Sequence, residues 1–406
     1  MHFQKLFYFS FLFTLLSCKP EASSIILKDA NIINVNNGQI ALNSILIKDG
    51  YIREINKFIE VPSGIAIIDA KGKFIIPGLF DMHTHIHEHE NSTRFLDSLL
   101  KLGITGIRDM GGHADSIALL KTDINRGLIT APDIFFAGYT LDGHKDRDDT
   151  DPTTWIITDT TDLNKIVGSL KKHNVDFLKV HSYFPHSRFI ELMEIASNNR
   201  LTVAGHIPRK IDLLTSIESG LATVEHANSL IESLVTTPNN DIDNITEAFN
   251  SLDSVYLKSL AASFNKNNAA FTPTLHIINK VYESNPDEGL RKLGKLMTGR
   301  FLQITKILHE NDVLILAGSD DVPVNQTNLT ALHQELQWLV KAGLTPLEAL
   351  QTATINPVKV LNIQAEYGSV EIGKKADLLI LNKNPLDDIS NTLTVSNTIK
   401  NGKLLN

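Results

Sequence analysis

The sequence predicts an α/β protein, in which a (β/α)8 TIM barrel is accompanied by a small β-sandwich domain formed by both chain ends. Between about residues 75 and 360, eight apolar strand-like segments alternate with stretches long enough for helices. Short β-rich segments with turn signals lie before and after this region. The 406 residues suit one barrel of about 250 residues plus a small second unit. We therefore expect a barrel at residues 77–360 and a sandwich at residues 19–76 and 361–406.

The first 18 residues are predicted to be a lipoprotein signal peptide that is not part of the fold. Lys5 precedes an apolar segment, residues 6–16, that is shorter than the roughly 20 residues a membrane-spanning helix needs. The tetrapeptide Leu15-Leu16-Ser17-Cys18 resembles a bacterial lipobox, whose cysteine becomes the lipidated first residue. We expect an exported protein, lipid-anchored to a bacterial cell membrane and facing the periplasm or the cell surface. An ordinary secretory signal is the alternative.

The terminal regions contain the predicted strands of the sandwich. The N-terminal part has β-rich segments at 25–33, at 44–55 around Lys48-Asp49-Gly50, and at 66–76 around Lys71-Gly72, which we interpret as hairpins. The C-terminal part has similar segments at 368–373, at 376–381, and at 398–405 around Asn401-Gly402. Because isolated hairpins are marginally stable, we expect the two sets to pack together.

The barrel region supplies eight predicted strands, each followed by room for a helix. They are residues 75–85, 103–111, 133–138, 176–181, 202–207, 223–227, 269–275 and 314–320. In such barrels the active site lies at the C-terminal ends of the strands. Polar side chains at these ends are therefore candidate functional residues.

Six candidate site residues lie at those strand ends. Strand alternation places His83 and His85 on one face, and it places Lys179 and His181 on one face. The full set of predicted metal ligands is His83, His85, Lys179, His206, His226 and Asp320. A lysine inside a barrel is costly unless it is paired or chemically altered. We expect these side chains to converge on one rim of the barrel.

Imidazoles and carboxylates are ligands for zinc and similar divalent ions, and Cys18, the only cysteine, cannot contribute a thiolate to the mature site. We expect one or two divalent metal ions, with zinc as the first choice. If CO₂ converts Lys179 to a carbamate, its two oxygens could bridge two cations roughly 3.5–4 Å apart. His181 could instead be a ligand in place of the carbamate. If no carbamate forms, a mononuclear site on His83, His85, His206 and Asp320 is the alternative. A carboxylate near the metal can accept the proton of water and later donate it to a leaving amine.

These motifs resemble the amidohydrolase superfamily of metal-dependent hydrolases over nearly all of the mature chain. Within it, residues 106–112 (GIRDMGG) and 217–226 (IESGLATVEH) resemble the group of imidazolonepropionases and related Xaa-Pro and Xaa-Arg dipeptidases. The resemblance implies that His83, His85 and Asp320 hold the more buried ion, and that Asp320 is the catalytic residue that shuttles the proton. It also implies that Lys179, as carboxylysine, bridges to a second ion held by His206 and His226.

Four further residues are weaker candidates for binding the substrate. His144 follows the third predicted strand, where the resembling enzymes have a loop at the mouth of the active site. Tyr183, Arg209 and His276 follow the fourth, fifth and seventh strands. Each could reach a substrate carboxylate or carbonyl, and each could equally be a solvated loop residue.

The predicted function is hydrolysis of an amide or peptide bond by metal-activated hydroxide, in a dipeptidase or N-acyl amino acid hydrolase. A mononuclear cyclic-amide hydrolase of the imidazolonepropionase type is one alternative, and a non-catalytic solute-binding lipoprotein is another. Deamination is less favoured, because His206-Ile-Pro-Arg and His226-Ala-Asn-Ser lack a His-x-x-Glu pairing. A glycosidase would need two carboxylates, and Glu225 alternates away from His226.

Composition limits the partners. Net charge is −8, and 21% of residues are charged, so the chain has no overall basic character that would favour nucleic acid. We expect a small-molecule amide or peptide substrate, and contact with a membrane only through the lipid anchor. The sequence does not determine the substrate or the oligomeric state.

Overall fold

The structure is a computed structural model that describes residues 24–61, 64–86, 92–144, 151–234, 242–320 and 329–405. It is an α/β protein with parallel sheets. Cys18 and the predicted signal peptide lie outside the described residues. Within the described part of the chain, no helix is long and apolar enough to cross a membrane.

The described strands are β1 (Ser24–Ile33), β2 (Ile40–Lys48), β3 (Tyr51–Asn56), β4 (Ala66–Asp69), β5 (Phe74–Pro77), β6 (Leu79–Thr84), β7 (Ile104–Asp109), β8 (Asp133–Phe136), β9 (Thr140–Asp142), β10 (Thr154–Ile156), β11 (Phe177–Val180), β12 (Thr202–Gly205), β13 (Leu221–Glu225), β14 (Ala270–Thr272), β15 (Leu314–Ile315), β16 (Leu378–Leu381), β17 (Val395–Lys400) and β18 (Lys403–Leu405).

The described helices are α1 (Ser92–Lys101), α2 (Ala114–Asn125), α3 (Leu163–Lys172), α4 (Phe189–Asn198), α5 (Leu213–Glu218), α6 (Ser229–Glu232), α7 (Ile242–Ser251), α8 (Ser254–Lys266), α9 (Leu275–Glu283), α10 (Glu288–Glu310), α11 (Ala331–Lys341), α12 (Pro346–Thr352) and α13 (Ile355–Val360). Short 3-10 turns occur at His186–Arg188 and Ile389–Leu393. Helix ends follow local chemistry: the Thr345 hydroxyl accepts from the Glu348 N–H, and the Glu348 carboxylate accepts from the Thr345 N–H, which begins α12.

Both chain ends contribute to one eight-stranded sheet, which we call the terminal sheet. Its strand order is β18-β17-β16-β5-β1-β2-β3, and β4 pairs with β1 outside this path. Strand β16 lies antiparallel to β5, with Leu378 opposite Pro77 and Leu381 opposite Phe74. Ile45 and Ile75 belong to its buried aliphatic cluster. The two chain ends therefore pair directly, whereas the second layer of a β-sandwich stays a prediction.

Two details of the terminal regions differ from the sequence-based prediction. Segment 66–76 is not a hairpin, because β4 and β5 each lie parallel to β1 and not against each other. Asp29, with φ 56°, interrupts β1, so its first half pairs with β4 and its second half with β5. Residues 368–373 form a turn-rich segment without a strand. The hairpin at Asn401-Gly402 is present as β17 and β18.

All eight predicted strands of the central region are present, as β6–β8 and β11–β15. They form a three-stranded parallel sheet, β6-β7-β8, and a seven-stranded sheet of order β10-β9-β11-β12-β13-β14-β15. The short strands β9 and β10 were not predicted. Backbone hydrogen bonds link the two sheets at two places: the Asp176 N–H, just before β11, donates to Phe136 O of β8 at 2.9 Å, and the Met82 N–H of β6 donates to Ala317 O, just after β15, at 2.9 Å.

The first predicted strand, 75–85, is two strands that belong to different sheets. β5 pairs in the terminal sheet, and β6 begins one residue later in the parallel sheet. At Gly78 a Cβ atom would lie 2.0 Å from Thr105 Oγ1, so only glycine fits this close approach. The chain thus passes directly from the terminal sheet into the strand that carries His83.

Candidate metal centre

The six predicted ligands come together in one cavity at the C-terminal ends of the parallel strands. They are His83 on β6, His85 just after it, Lys179 on β11, and His206, His226 and Asp320 following β12, β13 and β15. All six line a cavity of about 360 Å³. The convergence expected from the order of the strands is therefore observed in the described residues.

His83, His85 and Asp320 form the tightest part of this cluster. One ligand atom from each lies within 4.8 Å of the others. Both His83 Nε2 and His85 Nε2 lie 3.5 Å from Asp320 Oδ1. The His226 ring continues the cluster, 4.4 Å from the His83 ring between centroids, and the His206 ring lies 4.7 Å from the His226 ring.

Backbone strain accompanies two of these residues. His226 has φ 65° and Asp320 has φ 46°, both in the left-handed region that non-glycine residues rarely adopt. Such conformations cost about 1–3 kcal/mol and concentrate at functional sites. The Asp320 N–H donates to His83 O at 2.8 Å, which fixes the strained aspartate against the strand that bears the histidine pair.

His83 is held as a neutral imidazole with a defined tautomer. Burial lowers its pKa well below the ordinary value, and nearby Lys179 and His85 lower it further. Its Nδ1 lies 2.9 Å from Glu225 Oε2. Because a carboxylate accepts hydrogen bonds, we place the proton on Nδ1, which leaves the lone pair on Nε2, the atom that faces Asp320.

A buried ion pair lies behind His83. Glu225 is fully buried, and its Oε1 lies 2.6 Å from Arg108 Nη2, which donates to it. Arg108, 2% exposed, also donates from Nε to Met82 O at 2.7 Å and from Nη1 to Thr223 Oγ1 at 3.0 Å. The ion pair therefore links His83, through Glu225 and Arg108, to the backbone of its own strand at Met82.

Asp320 is ionised in this environment. Burial alone would raise its pKa, but His226 and His85 together with Lys179 lower it below the ordinary aspartate value. Nearby Asp81 accepts from the N–H groups of Ser319, at 2.8 Å, and His83, at 3.2 Å, through the same oxygen. Burial raises the pKa of Asp81 to about 7. Asp81 therefore ties the loop that carries Asp320 to β6.

Hydroxyl groups orient the other two histidines. His206 Nδ1 lies 2.8 Å from Ser182 Oγ, and the Ser182 hydroxyl donates to Glu232 Oε2 at 3.0 Å. Since a serine has one hydroxyl proton, His206 donates from Nδ1 and keeps its lone pair on Nε2. His226 Nδ1 lies 2.9 Å from the hydroxyl of Thr274.

Lys179 is 2% exposed and lines the cavity. Burial lowers the pKa of its ammonium to about 8, against the opposing effect of Glu225 and Asp320. Among the described residues, no carboxylate lies within ion-pair distance of it. His181, the alternative ligand, also lines the cavity; its Nδ1 lies 3.2 Å from Asp142 Oδ2 and its ring 3.9 Å from the His206 ring.

One wall of the cavity is apolar and comes mainly from helix α9. Its lining side chains are Ile277, Ile278, Val281 and Tyr282, together with Met110 after β7. The start of α9 is fixed by buried Glu335, whose carboxylate accepts from the N–H groups of Leu275, at 3.0 Å, and His276, at 2.7 Å. The helix is therefore held firmly beside the metal-ligand cluster.

None of the four weaker candidates is among the described side chains that line the cavity. His144 is exposed at the end of a described segment. Tyr183 and Arg209 contact each other, with the guanidinium 5.0 Å above the ring centre. His276 lines a separate surface depression with Asn279. A role of these residues in substrate binding stays a prediction.

Sequence reasoning missed Arg108, Glu225, Ser182 and the apolar wall of α9. For Glu225 a signal existed, since alternation along β13 places it on the same inward face as Thr223. Alternation also separates Glu225 from His226, as expected: His226, whose backbone is left-handed, lines the cavity, whereas Glu225 contacts His83 from behind it. For Ser182 and α9 no local pattern distinguishes these residues.

The donor set fits a divalent cation. His83 and His206 each have a hydrogen bond at Nδ1 that leaves Nε2 as a lone-pair donor, and Asp320 adds an ionised oxygen. Neutral imidazoles with carboxylate are the ligands that zinc prefers when thiolates are absent. His83, His85 and Asp320 could hold one ion, and Lys179, His206 and His226 could contribute to a second.

Comparison with known proteins agrees with this geometry. The model of the amidohydrolase family matches residues 74–405. The 5′-deoxyadenosine deaminase of Methanobrevibacter smithii is 26% identical, with 93% of this chain and 88% of that protein covered. The ochratoxinase of Aspergillus niger is 24% identical, with 81% and 75% covered. Adenine deaminases of Listeria species are longer relatives, and the chain spans 58% of the one from Listeria welshimeri.

Solved structures share the fold. A Xaa-Pro dipeptidase with methionine bound in its active site superposes with a TM-score of 0.75 at 22% identity, covering 94% of this chain and 100% of that one. The match spans both the terminal sheet and the parallel strands.

Proposed function

The chain belongs to the amidohydrolase family and is an enzyme that acts on carbon–nitrogen bonds; we propose that it is a metal-dependent hydrolase of amide or peptide bonds. The observation that carries the proposal is the cluster of His83, His85 and Asp320, whose ligand atoms lie within 4.8 Å of one another. The hydrogen bond from His83 Nδ1 to Glu225 supports it, because it directs the Nε2 lone pair into the cluster.

We propose zinc as the metal, with His83, His85 and Asp320 holding one ion. His206, His226 and a carbamate on Lys179 would hold a second. When bound, a divalent cation supplies Lewis acidity, which polarises a carbonyl and lowers the pKa of water.

The environment of Lys179 supports the carbamate. A buried ammonium with no carboxylate at ion-pair distance among the described residues is unfavourable, and burial increases the fraction of free amine. The neutral amine adds to the carbon of CO₂ and loses one proton, which gives an N–C bond and a carboxylate of charge −1. If this reaction does not occur, we propose His181 as the ligand of the second ion in place of the carbamate. A mononuclear enzyme on His83, His85, His206 and Asp320 is the other possibility.

Asp320 is the proposed proton carrier. It is ionised, lies in the cavity and is fixed by its backbone bond to His83 O. As a general base it accepts a proton from the attacking water, and as a general acid it returns this proton to the leaving nitrogen. The neutral histidines around it do not compete for that proton, since burial lowers the pKa of His83 and His226.

The cavity supports a small substrate with an apolar group. Its volume of about 360 Å³ suits a dipeptide or an N-acyl amino acid, and the α9 wall offers Ile277 and Ile278 to an apolar side chain. Among the described residues that line the cavity, Lys179 is the only lysine or arginine.

Two alternatives remain specific enough to test. Relatives named as deaminases favour deamination of an aromatic amine, although the His-x-x-Glu pairing is absent at His206 and His226. The second alternative is a mononuclear cyclic-amide hydrolase on His83, His85, His206 and Asp320, all of which line the cavity.

We also propose that β6–β8 and β11–β15 close into an eight-stranded barrel. The two backbone links between the sheets, Asp176 N to Phe136 O and Met82 N to Ala317 O, support closure. The lipid anchor at Cys18 and the export that it implies are likewise proposals.

The test is hydrolysis by purified full-length protein in detergent, stripped of metal and then reloaded with zinc. The substrates are a library of dipeptides and N-acyl amino acids, a set of cyclic amides, and 5′-deoxyadenosine. We expect release of an amino acid with zinc and none without it. Release of ammonia from 5′-deoxyadenosine alone would support the deaminase, and no turnover of any substrate by zinc-loaded protein would contradict the proposal.

A further inference from the structure

We propose that Glu225, held by Arg108, is a positioning residue that fixes the tautomer and ring orientation of His83 and so strengthens metal binding. The inference rests on the proposed metal site. It assigns a function to a buried ion pair that none of the predicted catalytic or ligand roles uses.

The contacts of Glu225 leave it little freedom. Its Oε2 lies 2.9 Å from His83 Nδ1, and its Oε1 accepts from Arg108 Nη2 at 2.6 Å and from the hydroxyl of Thr223. Both oxygens therefore have a donor, and the carboxylate has no solvent contact. An ionised carboxylate only accepts, so the imidazole must supply the proton in its contact with His83.

Arg108 determines where that carboxylate lies. The guanidinium is planar and permanently charged, and it donates to four groups from three other strands. Met82 O belongs to β6, Thr223 Oγ1 and Glu225 Oε1 to β13, and Thr272 Oγ1, at 3.4 Å, to β14. The carboxylate is thus fixed relative to β6, the strand that carries His83.

A contribution to folding stability does not by itself explain the buried ion pair of Arg108 and Glu225. Desolvation makes a buried ion pair costly, and replacement of both partners by apolar residues is often neutral or stabilising. By contrast, a carboxylate on the outer nitrogen of a ligating histidine raises its basicity, and loss of such a partner typically weakens metal affinity about 10–100-fold. His206 and His226 face the hydroxyls of Ser182 and Thr274 instead.

The test uses two variants of the full-length protein. Glu225→Gln keeps the shape, but its amide has one donor and one acceptor end, so it cannot serve both Arg108 and the N–H of His83. The double variant Arg108→Met/Glu225→Met removes the ion pair without leaving a buried unpaired charge. Asp377→Asn is the matched control, because it breaks the buried Asp377–Lys400 pair of the terminal sheet, where Nζ and Oδ2 lie 2.6 Å apart.

Three quantities are measured: zinc affinity by competition with a chromophoric chelator, the absorption spectrum of the cobalt(II)-substituted protein, and the melting temperature of the metal-free protein. We expect both Glu225 variants to bind zinc about 10–100-fold more weakly and to alter the cobalt spectrum. We expect the Asp377 variant to melt at a lower temperature with unchanged zinc affinity.

The outcomes separate this inference from the proposed function. Zinc affinity within about twofold of wild type in Glu225→Gln would overturn the positioning role. If the double variant does not fold, the cobalt spectrum of Glu225→Gln decides, and an unchanged spectrum would overturn it too. Wild-type protein that binds neither zinc nor cobalt would overturn the metal site itself.

Discussion

His206 Nδ1 lies 2.8 Å from Ser182 Oγ, and the proton of that hydroxyl points to Glu232. The serine therefore accepts from the histidine and transmits the charge of a half-exposed carboxylate to a proposed metal ligand.

We predict that Ser182→Ala weakens metal binding at the second ion about tenfold, since the tautomer of His206 is no longer fixed. Chelator titration of zinc-loaded protein measures this. Ser216→Ala, a buried serine on α5, is the control and should bind zinc like wild type; equal affinities in both variants would contradict the prediction.

Lys179→Met should lower the bound zinc from two ions per chain toward one. Methionine keeps the length and apolar stem of lysine, but it has no amine to react with CO₂. Elemental analysis of metal in dialysed protein measures the stoichiometry. His181→Asn serves as the comparison: if it loses the second ion while Lys179→Met retains it, then His181 is the ligand and the carbamate is wrong.

Asp320→Asn should lower kcat about 10²–10⁴-fold, because an amide cannot accept a proton from water at neutral pH. Folding should be retained, since the backbone bond from residue 320 to His83 O does not involve the side chain. Turnover is measured at equal metal content, with Asp115→Asn on the exposed face of α2 as the control. Near-normal turnover would remove Asp320 from the proton path.

Acid should destabilise the protein partly through His333. Its Nε2 donates to Leu102 O at 3.0 Å, and Thr392 Oγ1 lies 2.9 Å from its Nδ1, so the ring is enclosed in the interior. Burial lowers its pKa to about 4, below the ordinary value of 6.5. The folded state thus binds this proton less readily, so stability falls as pH decreases from 6.5 to about 4, by on the order of 3 kcal/mol.

Urea unfolding of metal-free protein at pH 7, 5.5 and 4 measures this loss. In His333→Gln the amide keeps one donor and one acceptor without a titrating group, so its free energy of unfolding should fall less over the same range. Parallel curves for the two proteins would show that His333 does not contribute to acid sensitivity.

Cys18→Ala should abolish attachment of lipid. Metabolic labelling with a radioactive or clickable fatty acid, followed by fractionation of membranes, measures this. A Ser17→Ala variant, which keeps the cysteine, should remain labelled. Unchanged labelling of Cys18→Ala would show that the lipobox interpretation is wrong.

The order of strands in the parallel region was predictable because each segment is apolar, of strand length and bounded by turn residues. The same periodicity identified His83, His85 and Asp320, since they follow apolar segments directly. Strand pairing was harder to predict where an unusual backbone conformation interrupts the alternation of side chains along a strand. At Asp29 a positive φ divides one strand between two partners, and the order of residues does not specify which strand pairs with which half.

Contacts across the interior were the least predictable part of the site. The partner of Glu225 is Arg108, more than a hundred residues earlier, and only the packing of the sheet of β6 and β7 against that of β13 brings the two together. Ser182 and Glu232 likewise meet His206 from different loops. Such polar networks depend on distances between elements, which no local pattern encodes.

Strand β5 continues through Gly78 into β6, the strand of His83. Within the terminal sheet β5 lies between β1 and β16, and β16 is synthesised about 300 residues after β5. A nascent or prematurely terminated chain therefore lacks the neighbour that borders the strand leading to the catalytic pocket. Protein lacking β16–β18 should therefore expose the unpaired edge of β5 and be cleaved by proteases more readily than the full chain.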